Sequence, residues 1–186
     1  MMNGWILTGS IATGKSTVAS LLRLYGYTII SADEIAHKLL ENYSKDIETL
    51  FGTSDRKKLG KIVFNDKTKR EQLENFLHPK IKKFTIDESK KLEKYNVPYF
   101  VDIPLFFETK NYPEFNKVVV VYTPQKIQIK RLADRNSISI DEATKLVNLQ
   151  MNIEDKKLKA DYVIDNSKDI KHLQTEVEKF ISYIKN

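Results

Sequence analysis

Short unbroken apolar runs alternate along the chain with segments whose apolar residues recur every three or four positions, and the two periods separate strands from helices. Trp5-Ile6-Leu7 predicts a short buried strand. Lys15 to Leu24 predicts a helix with Val18, Leu21 and Leu22 on one face, and Gly26 follows as its stop. Tyr27-Thr28-Ile29-Ile30 predicts a second strand. From Glu34 to Tyr95 long polar segments carry Ile35, Leu39 and Leu40, then Leu73, Phe76 and Leu77, then Ile81 and Phe84, which predicts a helical insertion. Strand signals return at 99–103 and 118–122. Pro124 stands where a first helical turn tolerates proline and opens a helix through Arg135. An amphipathic segment over Ile140 to Met151, a short strand at Tyr162-Val163-Ile164 and a closing helix from Ile170 to Ile184 complete the chain.

Strands alternating with helices predict an α/β fold, a mostly parallel sheet flanked by helices. A length of 186 residues fits one domain over 1–186, with the helical insertion at about 36–95. Such a sheet binds ligands at the carboxyl ends of its strands, so the residues found there are the candidates for chemistry.

Composition narrows the classes. Apolar residues at 41% and charged residues at 30% describe a globular chain. With no cysteine, a disulfide scaffold, a cysteine-ligated metal and a cysteine nucleophile are excluded. No apolar run approaches the roughly 18 residues of a membrane span. The start, Met-Met-Asn-Gly-Trp, lacks the basic and apolar regions of a signal peptide, so the expected location is cytoplasmic. Thirty-one Lys plus Arg against 25 Asp plus Glu give a net charge of +6. That surplus suits anionic partners. The lysines are scattered (Lys57-Lys58, Lys82-Lys83, Lys90-Lys91, Lys156-Lys157), with no interleaved aromatics of the kind that binds single strands. No nucleic acid, membrane or obligate protein partner is expected.

The sharpest motif is Gly9-Ser10-Ile11-Ala12-Thr13-Gly14-Lys15-Ser16, which fits the phosphate-loop pattern G-x-x-x-x-G-K-[ST]. Gly9 and Gly14 let the backbone turn so that successive N–H groups face a phosphate at the positive end of the following helix. Lys15 reaches the β- and γ-phosphates, and the Ser16 hydroxyl can coordinate Mg²⁺. The motif follows an apolar run and opens an amphipathic helix, as the mechanism requires. The dinucleotide fingerprint G-x-G-x-x-G is absent, which disfavours a hydride-transferring enzyme. Asn116-Lys117 continues into Val118-Val119, so the guanine-reading string Asn-Lys-x-Asp is absent too.

A phosphate cradle does not identify the acceptor. Asp33 follows the second strand run, expected at the same sheet edge as the loop. Its carboxylate can take a proton from an attacking hydroxyl or help orient Mg²⁺, or it can cap the helix beginning near Glu34. Asp102 ends another strand run, the position of a metal-holding acid; alternatively it only binds water there. Arg131 and Arg135 lie one turn apart, a spacing that suits a lid over transferring phosphate and equally a solvated face.

Read together, the motifs resemble the dephospho-CoA kinase family through nearly the whole chain. Leu7 to Val18 looks like that family's opening, and Ser31-Ala32-Asp33-Glu34-Ile35-Ala36-His37 resembles its Asp-x-Asp-x-Ile-Ala segment. Asp55 to Phe64 and Leu77-His78-Pro79-Lys80-Ile81 are similar to signatures in its helical insertion. Ile103-Pro104-Leu105-Phe106-Phe107-Glu108 resembles its Pro-Leu-Leu-Phe-Glu string. Gln128 to Arg131, Gln150 and Ala160 to Asn166 complete the order. Three positions depart from the pattern: Ser10 for a glycine, Ser31 for the first acid, and Leu146 for a lid arginine.

The resemblance implies that ATP, with Mg²⁺, phosphorylates the ribose 3′-hydroxyl of dephospho-CoA to give coenzyme A and ADP. It implies Asp33, Lys15 and Arg131 as catalytic residues. The run Gly9 to Thr17 would hold the nucleotide (Gly9, Ser10, Ile11, Ala12, Thr13, Gly14, Lys15, Ser16 and Thr17), with Arg135 and Asn166, and Ser16 and Asp102 would hold the metal. The helical insertion would receive the acceptor, and a helical lid would span about 126–156. His78 and Pro79 could line that insertion, or His78 could cap and pack there, and the structural role is the expectation.

Overall fold

The computed structural model describes residues 2–185. Two compact units emerge, one made of Met1–Ile30 and Lys91–Asn186, the other of Ser31–Lys90.

The larger unit is built on a five-stranded sheet: β1 (Trp5–Gly9), β2 (Ile29–Ser31), β3 (Phe100–Asp102), β4 (Lys117–Tyr122) and β5 (Tyr162–Asp165), in the order β2-β3-β1-β4-β5. β1 runs parallel to β3, with Leu7 opposite Asp102, and parallel to β4, with Gly9 opposite Val121. β4 runs parallel to β5. Every residue of β1 is buried, which is why the central strands read as unbroken apolar runs rather than as alternation.

One face of the sheet is covered by α1 (Lys15–Leu24) and α10 (Ile170–Lys185). Val18, Leu21 and Leu22 of α1 and Leu173, Val177, Phe180 and Ile181 of α10 form a common core with Trp5, Leu7, Phe100, Val119 and Ile164. Phe180 is fully buried, its ring 5.3 Å from Trp5 and 4.8 Å from Tyr162. Truncating it to alanine would cost about 3–5 kcal/mol, because it removes a large buried ring and leaves a cavity beside Trp5 and Tyr162.

After β4, α7 (Gln125–Asn136) and α8 (Ile140–Asn148) pack on each other through Leu132, Ala133, Ala143 and Val147. Pro124 is the N-cap of α7, one residue ahead of the first turn. Ser139 and Glu142 make a capping box that starts α8. The expected helix to Met151 ends instead at Asn148. The chain restarts as a short α9 (Ile153–Leu158), for which Asn152 accepts the Glu154 N–H at 2.9 Å. The four-residue α6 (Phe106–Thr109) was likewise beyond the reach of periodicity.

The smaller unit is helical, as the apolar spacing predicts. It holds α2 (Ala32–Asn42), α3 (Ser44–Phe51), α4 (Arg56–Asn65) and most of α5 (Lys67–Glu93). Ile47, Phe51 and Leu59 are its core, with Leu40, Tyr43, Leu73 and Phe76 against them. Asp55 caps α4 by accepting the Lys58 N–H at 2.9 Å. His78, expected to pack, is exposed beside Pro79 on α5.

Candidate active site

β1 delivers Gly9 to the carboxyl edge of the sheet, and the chain turns through 10–14 into α1. Two residues at positive φ make the turn, Ala12 at 61° and Gly14 at 86°. Gly9 is not one of them, contrary to the expectation from the motif. A Cβ there would stand 2.7 Å from Thr13 Oγ1 and 3.0 Å from the Val121 carbonyl, so close packing demands glycine. Ser10 keeps negative φ, which is why the family's glycine is dispensable there.

The loop carbonyls are held by side chains from within the loop and from outside it. Ser10 O accepts the Thr13 hydroxyl at 2.9 Å, and Thr13 O accepts Asn166 Nδ2 at 2.8 Å and the Thr123 hydroxyl at 3.2 Å. A planar trans peptide points its C=O and N–H in opposite directions, so fixing Thr13 O on one side turns the Gly14 N–H to the other. Lys15 and Ser16 then open α1, and their N–H groups precede the first turn's own bonds, which begin with the Thr17 N–H donating to the Gly14 carbonyl at 3.0 Å. The loop and the helix start that follows it thus have the form that suits an anion. Ile11 and Ala12 pack against the α7–α8 pair, and Gln150 Oε1 accepts the Ile11 N–H at 2.8 Å.

Lys15 and Asp102 form an ion pair, with side chains 15% and 12% exposed. The alternative of Asp102 as a merely water-bound strand end is thereby overturned. Ser16 and Thr17 are exposed at the start of α1, where a phosphate-bound cation can meet the Ser16 hydroxyl. Ser16 and Asp102 supply hard oxygen donors, which fit Mg²⁺; that ion keeps water and phosphate as most of its ligands.

Arg131 and Arg135 separate. Arg131 Nη1 donates to Thr123 Oγ1 at 3.4 Å, and the same hydroxyl bonds the Thr13 and Asn166 carbonyls. Arg131 is thus tied to the frame of the cradle. Arg135 is exposed and donates to Asn136 Oδ1 at 3.1 Å, so the structure does not bring it there. Asn166 is buried, with its amide group committed to Thr13 O.

In the helical unit, Asp33 is not a cap. Ser31 is the N-cap of α2, accepting the Glu34 N–H at 3.2 Å, and so does the local work an acid would do at its position. Asp33 lies exposed in the first turn, directly after the carboxyl end of β2.

Sequence reasoning missed Thr123, Gln128, Glu108 and Lys156. Gln128 is fully buried and donates to the Thr123 carbonyl at 2.7 Å. Lys156, counted among scattered surface charges by its neighbour Lys157, has a side chain with no exposure. Its spacing of three from buried Ile153 on α9 was the available signal.

The family model for dephospho-CoA kinase matches residues 5–172. The chain is 44% identical over 187 positions to dephospho-CoA kinase of Wolinella succinogenes, covering 96% of this chain and 93% of the relative. The solved dephospho-CoA kinase from Campylobacter jejuni superposes with a TM-score of 0.81 at 39% identity, over 99% of this chain and 98% of the other. A shikimate kinase from Acinetobacter baumannii, at 17% identity and a TM-score of 0.55 over 99% of this chain and 93% of the other, shares the fold. The match takes in the phosphate loop, Asp33, Asp102, Arg131 and Asn166, and the chain belongs to the dephospho-CoA kinase family.

Proposed function

We propose that the protein transfers the γ-phosphoryl group of ATP to the ribose 3′-hydroxyl of dephospho-CoA, giving coenzyme A and ADP. The observation that carries this reading is the phosphate loop, with its Lys15–Asp102 pair, in a chain of that family. Phosphoryl transfer asks little covalent chemistry of the protein; positioning and charge stabilisation supply the rate. Lys15 exchanges Asp102 for phosphate oxygens when ATP enters, and the N–H groups of Gly14, Lys15 and Ser16 hold the β-phosphate. Arg131, anchored on Thr123, offers its guanidinium to the nucleotide from the lid at about 126–156.

Asp33 orients the acceptor hydroxyl and takes its proton as the new P–O bond forms and the bond to the ADP oxygen breaks. Its exposure and its freedom from capping support this role. Ser16 and Asp102 would hold Mg²⁺ together with phosphate and water, and the ion would supply positive charge against the phosphate oxygens. The helical unit receives the acceptor. The reaction belongs to the cytoplasm; among the described residues no helix is long and apolar enough to cross a membrane.

The test is ADP release from Mg-ATP with dephospho-CoA, AMP, dCMP, shikimate and gluconate offered in turn. Turnover is expected with dephospho-CoA. Turnover with another acceptor and none with dephospho-CoA would overturn the proposal.

A further inference from the structure

A fully buried lysine stands behind the phosphate loop. The Lys156 ammonium lies 2.8 Å from Glu108 Oε1, 3.4 Å from the Gly9 carbonyl and 3.4 Å from the Pro104 carbonyl, so its three N–H donors each have an acceptor. These are not arbitrary carbonyls. Gly9 ends β1 and begins the loop that carries Lys15; Pro104 lies two residues after Asp102, at the end of β3. The Thr8 hydroxyl donates to the same Pro104 carbonyl at 3.1 Å.

The contacts close into a ring. Glu108 Oε1 also accepts the Met151 N–H at 3.2 Å, and the Met151 carbonyl accepts the Ser10 hydroxyl at 3.3 Å. Ser10 is bonded to Gly9, whose carbonyl returns to Lys156. One cation and one carboxylate thus join the entry of the loop, the segment after Asp102, and the chain returning from α8.

Stability does not account for a cation here. Burial pushes the Lys156 ammonium below the usual lysine range, Glu108 opposes that, and nearby Lys15 adds to it. A methionine would fill the same space without desolvating a charge, and replacing buried ion pairs by apolar residues is often neutral or stabilising. What methionine would not do is hold two carbonyls. We propose that Lys156, with Glu108, is a positioning pair for the phosphate loop: it fixes the Gly9 and Pro104 carbonyls and thereby sets where Lys15 and Asp102 meet the nucleotide. This rests on the loop being the ATP cradle.

The test compares Lys156→Met, Glu108→Gln and the double variant with the parent, by thermal melt, Mg-ATP titration and steady-state kinetics. The singles leave one buried charge without its partner and should melt lower. In the double variant both charges leave with shape kept, so its melt should return toward the parent. Its ATP affinity should still fall and its ATP KM rise, by about 10- to 10²-fold, the scale of a misplaced binding group, with the KM for dephospho-CoA unchanged. ATP binding as in the parent, measured where the double variant is folded, would assign the pair to stability alone and overturn the proposal. The parent separates the two readings: no Mg-ATP binding by the parent removes the cradle itself, whereas binding without turnover on dephospho-CoA removes only the acceptor.

Discussion

Lys15 of the phosphate loop is ion-paired with Asp102 at the end of β3, and both side chains are largely shielded from water. The two residues lie 87 positions apart, and parallel pairing of β1 with β3 brings their strand ends together. The pairing makes both residues matter for folding as well as for the binding proposed above.

Lys15→Ala should therefore lower turnover by about 10²-fold or more, the scale of losing a preorganised charge donor. It should also lower the melting temperature, because the shielded Asp102 carboxylate loses its ammonium. Adding Asp102→Asn should restore the melt and leave turnover low. Kinetics beside a thermal melt check this, and near-normal turnover of Lys15→Ala would remove the phosphate loop from the mechanism.

Asp33 and Ser31 divide what looked like one role. Asp33→Asn should keep the melt near the parent and cut turnover by about 10²- to 10⁴-fold, the span for a general base. Ser31→Ala should cost about 0.5–2 kcal/mol of stability, the usual loss of an N-cap. If Asp33→Asn turns over within a few-fold of the parent, another carboxylate takes the proton.

Arg131 and Arg135 should respond differently. Arg131→Ala removes a guanidinium already held on Thr123 beside the loop, and it should raise the ATP KM and lower turnover by about 10- to 10²-fold with little change in melting. Arg135→Ala should leave ATP affinity in the absence of acceptor unchanged. Equal losses of affinity for both variants, by titration, would contradict the division.

The start of α8 should be sensitive to acid. Hydrogen bonds from the Ser139 N–H and hydroxyl hold the Glu142 carboxyl below its usual range. Because the folded value is depressed, the capping contribution is present above the ordinary glutamate value and is lost as pH falls through the folded one. Protection of the Ser139 amide, taken relative to its intrinsic exchange rate at each pH, should fall across that acidic window. In Glu142→Gln, which still accepts the N–H but does not titrate there, that loss of protection should vanish.

Period and motif were enough to determine much of this protein. Continuous apolar runs identify β1 and β4 because both faces of those strands are covered, and Val18, Leu21 and Leu22 identify the buried face of α1. Gly14 and Lys15 identify the loop because a glycine at positive φ directly before a helix start turns the backbone there. Relationships between distant segments were decided by the tertiary structure. Ser31 caps α2 because hydrogen-bond geometry, not residue preference, selects among Ser31 and Asp33. Gly9 is glycine because of Thr13 and Val121, and Ala12 takes the positive φ instead. Arg131 and Arg135 share a spacing, yet only one finds Thr123. Lys156 reads as a surface lysine until parallel strands bring Gly9, Pro104 and Glu108 around it. Local patterns are written in neighbouring side chains, whereas the partners of a buried charge come from wherever the sheet places them.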